Sequence, residues 1–116
     1  MSASDLMLVP SGSAAAGDVS VLFEPRRTVV LLSGEVDHAM EPELRQAAKA
    51  AINAGNRVQV DTRHVRFIDS IGLALIARLA ASMPGRVSVL HPPPHLELLL
   101  EVAQLQRVVR VVSSGR

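Results

Sequence analysis

The chain has no cysteine, tryptophan or tyrosine among its 116 residues, and only two phenylalanines, Phe23 and Phe67. Without thiols there is no disulfide, no thiolate zinc site and no cysteine nucleophile, and the redox compartment stays open. A nucleic-acid binder needs a basic surface and rings on which bases stack. With a net charge of +1 and 2% aromatics the chain has neither, so no direct nucleic-acid contact is expected. Lys49 is the only lysine, and any lysine chemistry must use it. Long apolar runs are also missing. The longest, Ile71 to Ala77, stops at Arg78, far short of the roughly 20 residues a span requires. No membrane insertion is expected. The N-terminus lacks a basic segment followed by a long apolar one, so no secretory signal is expected and the cytoplasm is the default location.

What remains is 48% hydrophobic and 20% charged. That composition supports one core, built from Leu, Val, Ile and Ala, and the length is that of a single domain. Residues 1–17 read as a flexible tail, rich in Ser, Ala and Gly from Ser11 onward. Val19–Phe23 reads as a strand, followed by a turn at Pro25. Thr28–Ser33 is apolar at every second position and between, which predicts a central strand covered on both faces. Gly34–His38 reads as a loop. Pro42 suits a first helical turn, and Leu44, Ala47, Ala48, Ala51 and Ile52 recur at helical spacing up to Gly55. Arg57–Asp61 alternates like a strand, and the stretch holding Val65, Phe67 and Ile68 reads as a connection. A second helix opens at Asp69-Ser70 and stops before Pro84-Gly85. Arg86–Leu90 is a strand, Pro92–Pro94 leads into a helix over His95–Ala103, and Val108–Val112 closes as an edge strand.

The expected class is therefore α/β: a single domain with a mixed, mostly parallel four- to five-stranded sheet and three to four helices. The first strand, joined by a tight turn, runs antiparallel. In such a sheet the loops leaving the carboxyl ends of the strands gather on one edge. Asp37 leaves one strand and Asp69-Ser70 leave the next, so topology brings them together across more than thirty residues of sequence. Ser70 has two compatible readings. Its hydroxyl can cap the following helix, or it can accept a phosphate, since a helix N-terminus tolerates an anion. That helix is apolar on nearly every side apart from Arg78. Either it offers a face to a partner or its small alanines are simply exposed.

Gly34-Glu35-Val36-Asp37, then Asp61, then Ile68-Asp69-Ser70-Ile71-Gly72-Leu73 resemble, in order and spacing, the marks of the STAS domain family, and within it the anti-sigma factor antagonists. The resemblance runs from about residue 19 to 112 and places the domain over 18–116. It implies a switch without catalysis. An anti-sigma factor that is also a serine kinase would phosphorylate Ser70. The unmodified protein would bind that kinase and free a sigma factor, and a serine phosphatase would reset the cycle. Asp37, Asp69, Ser70, Ile71 and Gly72 would form the partner-binding edge. No cofactor is implied. The sequence departs from the family pattern at Ile71, where Ser or Thr is usual, at Met40, near a helix-capping Thr, at Gln104, where Gly is frequent, and in the Pro92–Pro94 run.

Other classes fit less well. A hydrolase would use Ser70 with one of His38, His64, His91 or His95, but there is no Gly-x-Ser-x-Gly elbow and no histidine is placed beside Ser70 by sequence. The four histidines lack metal-ligand spacing and read as surface residues, so no metal is expected. A phospho-receiver would need a downstream lysine, and Lys49 lies on the first helix. The alternative within the same fold is an unphosphorylated adaptor subunit of a larger assembly, in stress signalling or lipid transport, with the same edge as a permanent docking surface.

Overall fold

A computed structural model describes residues 5–9 and 17–113. Six strands form one sheet in sequence order: β1 (Asp5–Val9), β2 (Asp18–Phe23), β3 (Arg27–Val36), β4 (Arg57–Ile68), β5 (Val87–Leu90) and β6 (Arg110–Val112). β1, β2 and β3 pair antiparallel, and β3 to β6 pair parallel. The helices α1 (Glu41–Ala54), α2 (Ser70–Ser82) and α3 (Pro94–Val102) are the three crossovers. Short 3-10 turns sit at His38–Met40 and Leu105–Arg107.

The mixed, mostly parallel sheet with three helices is the expected class, with one strand more than expected. The added strand is β1. The tail reading of residues 1–17 lies mostly outside the described residues, but at Asp5–Val9 the chain pairs with β2 over five residues. The four apolar residues Leu6–Val9, with Ser-rich sequence after them, carry no period long enough to read, and the edge of β2 gives the segment a partner.

The parallel strands add in one direction, β3 to β6, and right-handed crossovers then place all three helices on the same face of the sheet. The core lies between that face and the helices. Val19, Val30, Leu32, Val58, Val60 and Val89 meet Leu44, Ala47, Ile76, Leu79, Leu96 and Leu100 in one cluster of buried residues. This corrects the expectation that β3 is covered on both faces. Leu31 is 37% exposed, and Val29, although buried, stands outside the core cluster. The apolar run of β3 is therefore continuous in sequence although only one of its faces joins the helical core.

β3 and β4 also run further than their alternation indicates. The loop expected at Gly34–His38 is strand as far as Val36, and the connection expected after Asp61 is strand as far as Ile68. The register shifts twice, between Leu31 and Ser33 and between Gly34 and Glu35. Each shift inserts an extra residue on β4, so its buried positions become Thr62, Val65 and Ile68, three apart. A bulge breaks the two-residue period that identifies a strand. Opposite the second shift, on β3, Gly34 takes a left-handed backbone with φ 72°, which glycine adopts at little cost.

Candidate functional site

β3 and β4 continue past their neighbours. β2 pairs only as far as Ser33 and β5 only as far as Asp61, whereas β3 and β4 stay paired, through two register shifts, to Val36 and Ile68. Beyond Ser33, on the β2 side, the Gly17 N–H donates to the Glu35 carbonyl at 3.0 Å. Where β5 leaves, side chains replace strand pairing: the Thr62 hydroxyl donates to the Leu90 carbonyl at 2.9 Å and Asp61 accepts from the Arg63 N–H at 3.0 Å. The sheet thus ends in a two-stranded arm, and the candidate site lies at its tip.

Val36 and Ile68 are paired and both face the core. The residues that follow, Asp37 and Asp69, therefore leave the arm side by side, and the Asp69 N–H donates to the Val36 carbonyl at 3.1 Å. The two carboxylates play matching local roles. Asp37 Oδ1 accepts from the Ala39 N–H at 3.0 Å and caps the 3-10 turn. Asp69 Oδ1 accepts from the Ile71 N–H at 2.9 Å and caps α2.

The capping reading of Ser70 is therefore corrected: the cap is Asp69, and Ser70 is the first residue inside the helix. A carboxylate can satisfy a free N–H at a helix start as well as a hydroxyl can, and its charge also suits the positive end of the helix. The Ser70 side chain is left exposed, and among the described residues its hydroxyl makes no hydrogen bond. Met40, at the cap position of α1, makes no side-chain cap bond, as expected of a methionine where a threonine is usual.

Of the five expected edge residues, Ser70 is exposed, Asp37, Asp69 and Ile71 are half-buried, and Gly72 is buried. Gly72 is where α2 rests on the arm. A Cβ there would lie 2.3 Å and 2.4 Å from Cγ1 and Cδ1 of Ile68 and 3.2 Å from Cγ1 of Val36. Only glycine lets the first turn of α2 sit this close, and that approach fixes where Ser70 is presented.

Two further residues belong to the tip. Glu35 and Phe67 are paired across the arm, both exposed, Phe67 at 49%. Glu35 stands in the Gly34–Asp37 mark and Phe67 in the expected connection, but neither is among the expected edge residues, and the stretch around Phe67 lacks a two-residue period. The available signal was that Phe67 is one of only two aromatics and stands between inward-facing Val65 and Ile68. The apolar α2 buries its large residues Leu75, Ile76 and Leu79 and exposes Ala74 and Ala81, so the small residues face outward. His38 and His64 are exposed as expected. His91 and His95 are instead half-buried, with His91 Nδ1 and His95 Nε2 buried and unpartnered. Among the described residues no three metal-ligating side chains gather, and no helix is long and apolar enough to cross a membrane.

The family model described as "Mlab, STAS domain" matches residues 19–112. Three solved structures are similar to the chain. A crystal structure of an anti-sigma factor antagonist from Mycobacterium paratuberculosis has 22% sequence identity and a TM-score of 0.75, covering 89% of this chain and 90% of that one. The anti-sigma factor antagonist SpoIIAA in its unphosphorylated form has 21% identity and a TM-score of 0.66, covering 83% and 89%. The Bacillus cell fate determinant SpoIIAA in its phosphorylated form has 22% identity and a TM-score of 0.60, covering 83% and 92%. At these identities the likeness is one of fold. No curated protein matches the chain.

Proposed function

The chain belongs to the STAS domain family, and from that premise we propose that it is an anti-sigma factor antagonist switched by phosphorylation of Ser70. The unmodified protein docks on a serine-kinase anti-sigma factor and frees the sigma factor. The kinase then transfers the γ-phosphoryl group of ATP to Ser70 Oγ, which loses its proton, and ADP leaves. The modified protein is released, and a serine phosphatase restores the hydroxyl by hydrolysis. The cycle runs in the cytoplasm, where ATP is available.

The observation that carries this reading is the Ser70 hydroxyl itself: exposed, at the first position of α2, and relieved of the capping role by Asp69. A kinase can take it without unpinning the helix. Its neighbours Asp37 and Asp69 supply the means of release. A phosphoserine carries about −1.5 to −2 charges at pH 7, and the helix N-terminus returns only about 0.3–1 kcal/mol. The fold of the phosphorylated SpoIIAA structure supports the reading, because a protein with this architecture exists in both forms. In this reading the protein acts by binding its partner, the antagonist role named for the similar structures.

The test is incubation with purified serine-kinase anti-sigma factors and ATP, followed by intact-mass measurement. One added phosphate on the wild type and none on Ser70→Ala is expected. A tight complex that never gains phosphate and is indifferent to Ser70→Asp would replace the switch with a permanent adaptor subunit.

A further inference from the structure

α1 and α2 leave the tip of the arm together, and a groove of about 110 Å³ lies between them. Its floor is Leu44, Ala48 and Leu75, all buried, and Ile71 and Ala74 form the wall on the α2 side. The cavity exists because Ala48 and Ala74 are small. An engineered cavity of about 150 Å³ is enough for benzene, so this groove suits one aliphatic side chain. Arg45 and Arg78 stand at the rim with Glu41. Arg45 is paired with Glu41, whereas Arg78 makes no ion pair among the described residues. Two guanidiniums against one carboxylate leave the rim with one positive charge.

The groove is continuous with Ser70. Residues four apart share a helix face, so Ser70, Ala74 and Arg78 form one exposed stripe of α2. At 1.5 Å rise per residue Ala74 lies about 6 Å and Arg78 about 12 Å along the axis from Ser70. The stripe is also polar in charge, with Asp37 and Asp69 at one end and Arg78 at the other. A partner that reaches Ser70 and continues along α2 must meet this pattern with a basic patch near its phosphoryl donor and a carboxylate about 12 Å away.

We propose that the α1–α2 groove is the second anchoring point for the kinase anti-sigma factor that modifies Ser70. It takes one aliphatic side chain of that partner, with a neighbouring carboxylate of the partner on Arg78. This rests on the reading of Ser70 as the phospho-acceptor. Ile71, where the family usually has a small hydroxyl residue, extends the apolar wall toward Ser70 and makes the groove selective for an apolar occupant.

The experiment is calorimetric titration of the kinase that phosphorylates Ser70 with wild type, Ala74→Leu, Arg78→Glu, Ser70→Glu and, as a control at the far end of α1, Asn53→Ala. Ala74 and Arg78 are exposed, and circular dichroism verifies that each variant is folded. Ala74→Leu fills the groove and Arg78→Glu reverses its charge; each weakens binding at least tenfold, and Asn53→Ala leaves it unchanged. Changing the partner's matching carboxylate to lysine restores binding to Arg78→Glu. Wild-type affinity in Ala74→Leu or in Arg78→Glu, with Ser70→Glu still impaired, overturns the groove and leaves the switch standing. If no kinase acts on Ser70, the switch and the occupant of the groove fall together.

Discussion

A negative charge at Ser70 should cost the docked complex far more than the free protein, and the arrangement of the tip sets the size of the difference. Ser70 follows Asp69 directly, and Asp37 leaves the adjacent strand beside it, so each carboxylate lies roughly 6 Å away by strand spacing. In water a unit pair at that distance repels by about 0.7 kcal/mol; inside an interface, at an effective dielectric of 20, by about 3 kcal/mol. Docking thus adds about 2 kcal/mol per carboxylate, or about 4 kcal/mol for two. The helix N-terminus offsets at most about 1 kcal/mol. The net of about 3 kcal/mol is roughly two orders of magnitude in affinity. Ser70→Glu, with a longer side chain and one charge, is expected to lose between ten- and a hundredfold in calorimetric titration against the kinase. A double-mutant cycle with Asp37→Asn isolates the cause, since Asn keeps the oxygen that accepts from the Ala39 N–H. The cycle should return a coupling of about 1–2 kcal/mol that shrinks as salt is raised from 0.05 to 0.5 M, both figures being of order of magnitude. A coupling of zero, or one indifferent to salt, would refute the electrostatic account even if Ser70→Glu fails to bind.

Four other outcomes follow from the fold. Gly72→Ala drives a methyl into Ile68 and should cost about 1–3 kcal/mol in urea unfolding; Ile68→Val alongside it should recover only part, because both Cγ1 and Cδ1 are in the way. Asp69→Ala removes the cap of α2 and should lose about 1 kcal/mol, while Asp69→Asn stays within a few tenths, measured by thermal melting. Gln104 holds φ 60° in an exposed turn, so Gln104→Gly should raise stability by about 0.5–1 kcal/mol; no gain would mean that its contact with Arg107 matters more than the backbone. Leu31→Thr should change stability by less than about 0.5 kcal/mol, whereas Leu32→Ala should cost about 2–5 kcal/mol, a contrast that disappears if both faces of β3 are covered.

The helices and their limits were legible because their signals are local. Pro42 and Gly55 bound α1, and the latter does sit in the left-handed cap, with φ 76°. The meeting of Asp37 with Asp69-Ser70 was legible from topology alone, since parallel strands deliver their following residues to one edge. The arm was not legible. Its bulges turn the burial of β4 from every second to every third residue, and that pattern resembles neither a strand nor a loop. The assignment of the cap was also hidden, because Asp and Ser are both good caps and stand next to each other. Only the hydrogen bond from Ile71 N–H decides between them. The one-sided covering of β3 depends on strand order, which no single strand records. Gln104 is an opposite case: the family's glycine there is explained by the left-handed backbone, and this chain keeps the conformation with a residue that tolerates it poorly.

A ribbon only two strands wide gives its amides little shelter. Residues 62–68 have β3 along one side and, past Leu90, no described strand along the other. Their protons should trade with deuterated solvent sooner than those of Val58 and Val60, which lie between β3 and β5 in the body of the sheet. A docked protein would quench that trade at the prong first, so the segment leading into Ser70 serves as a built-in gauge of occupancy that needs no label.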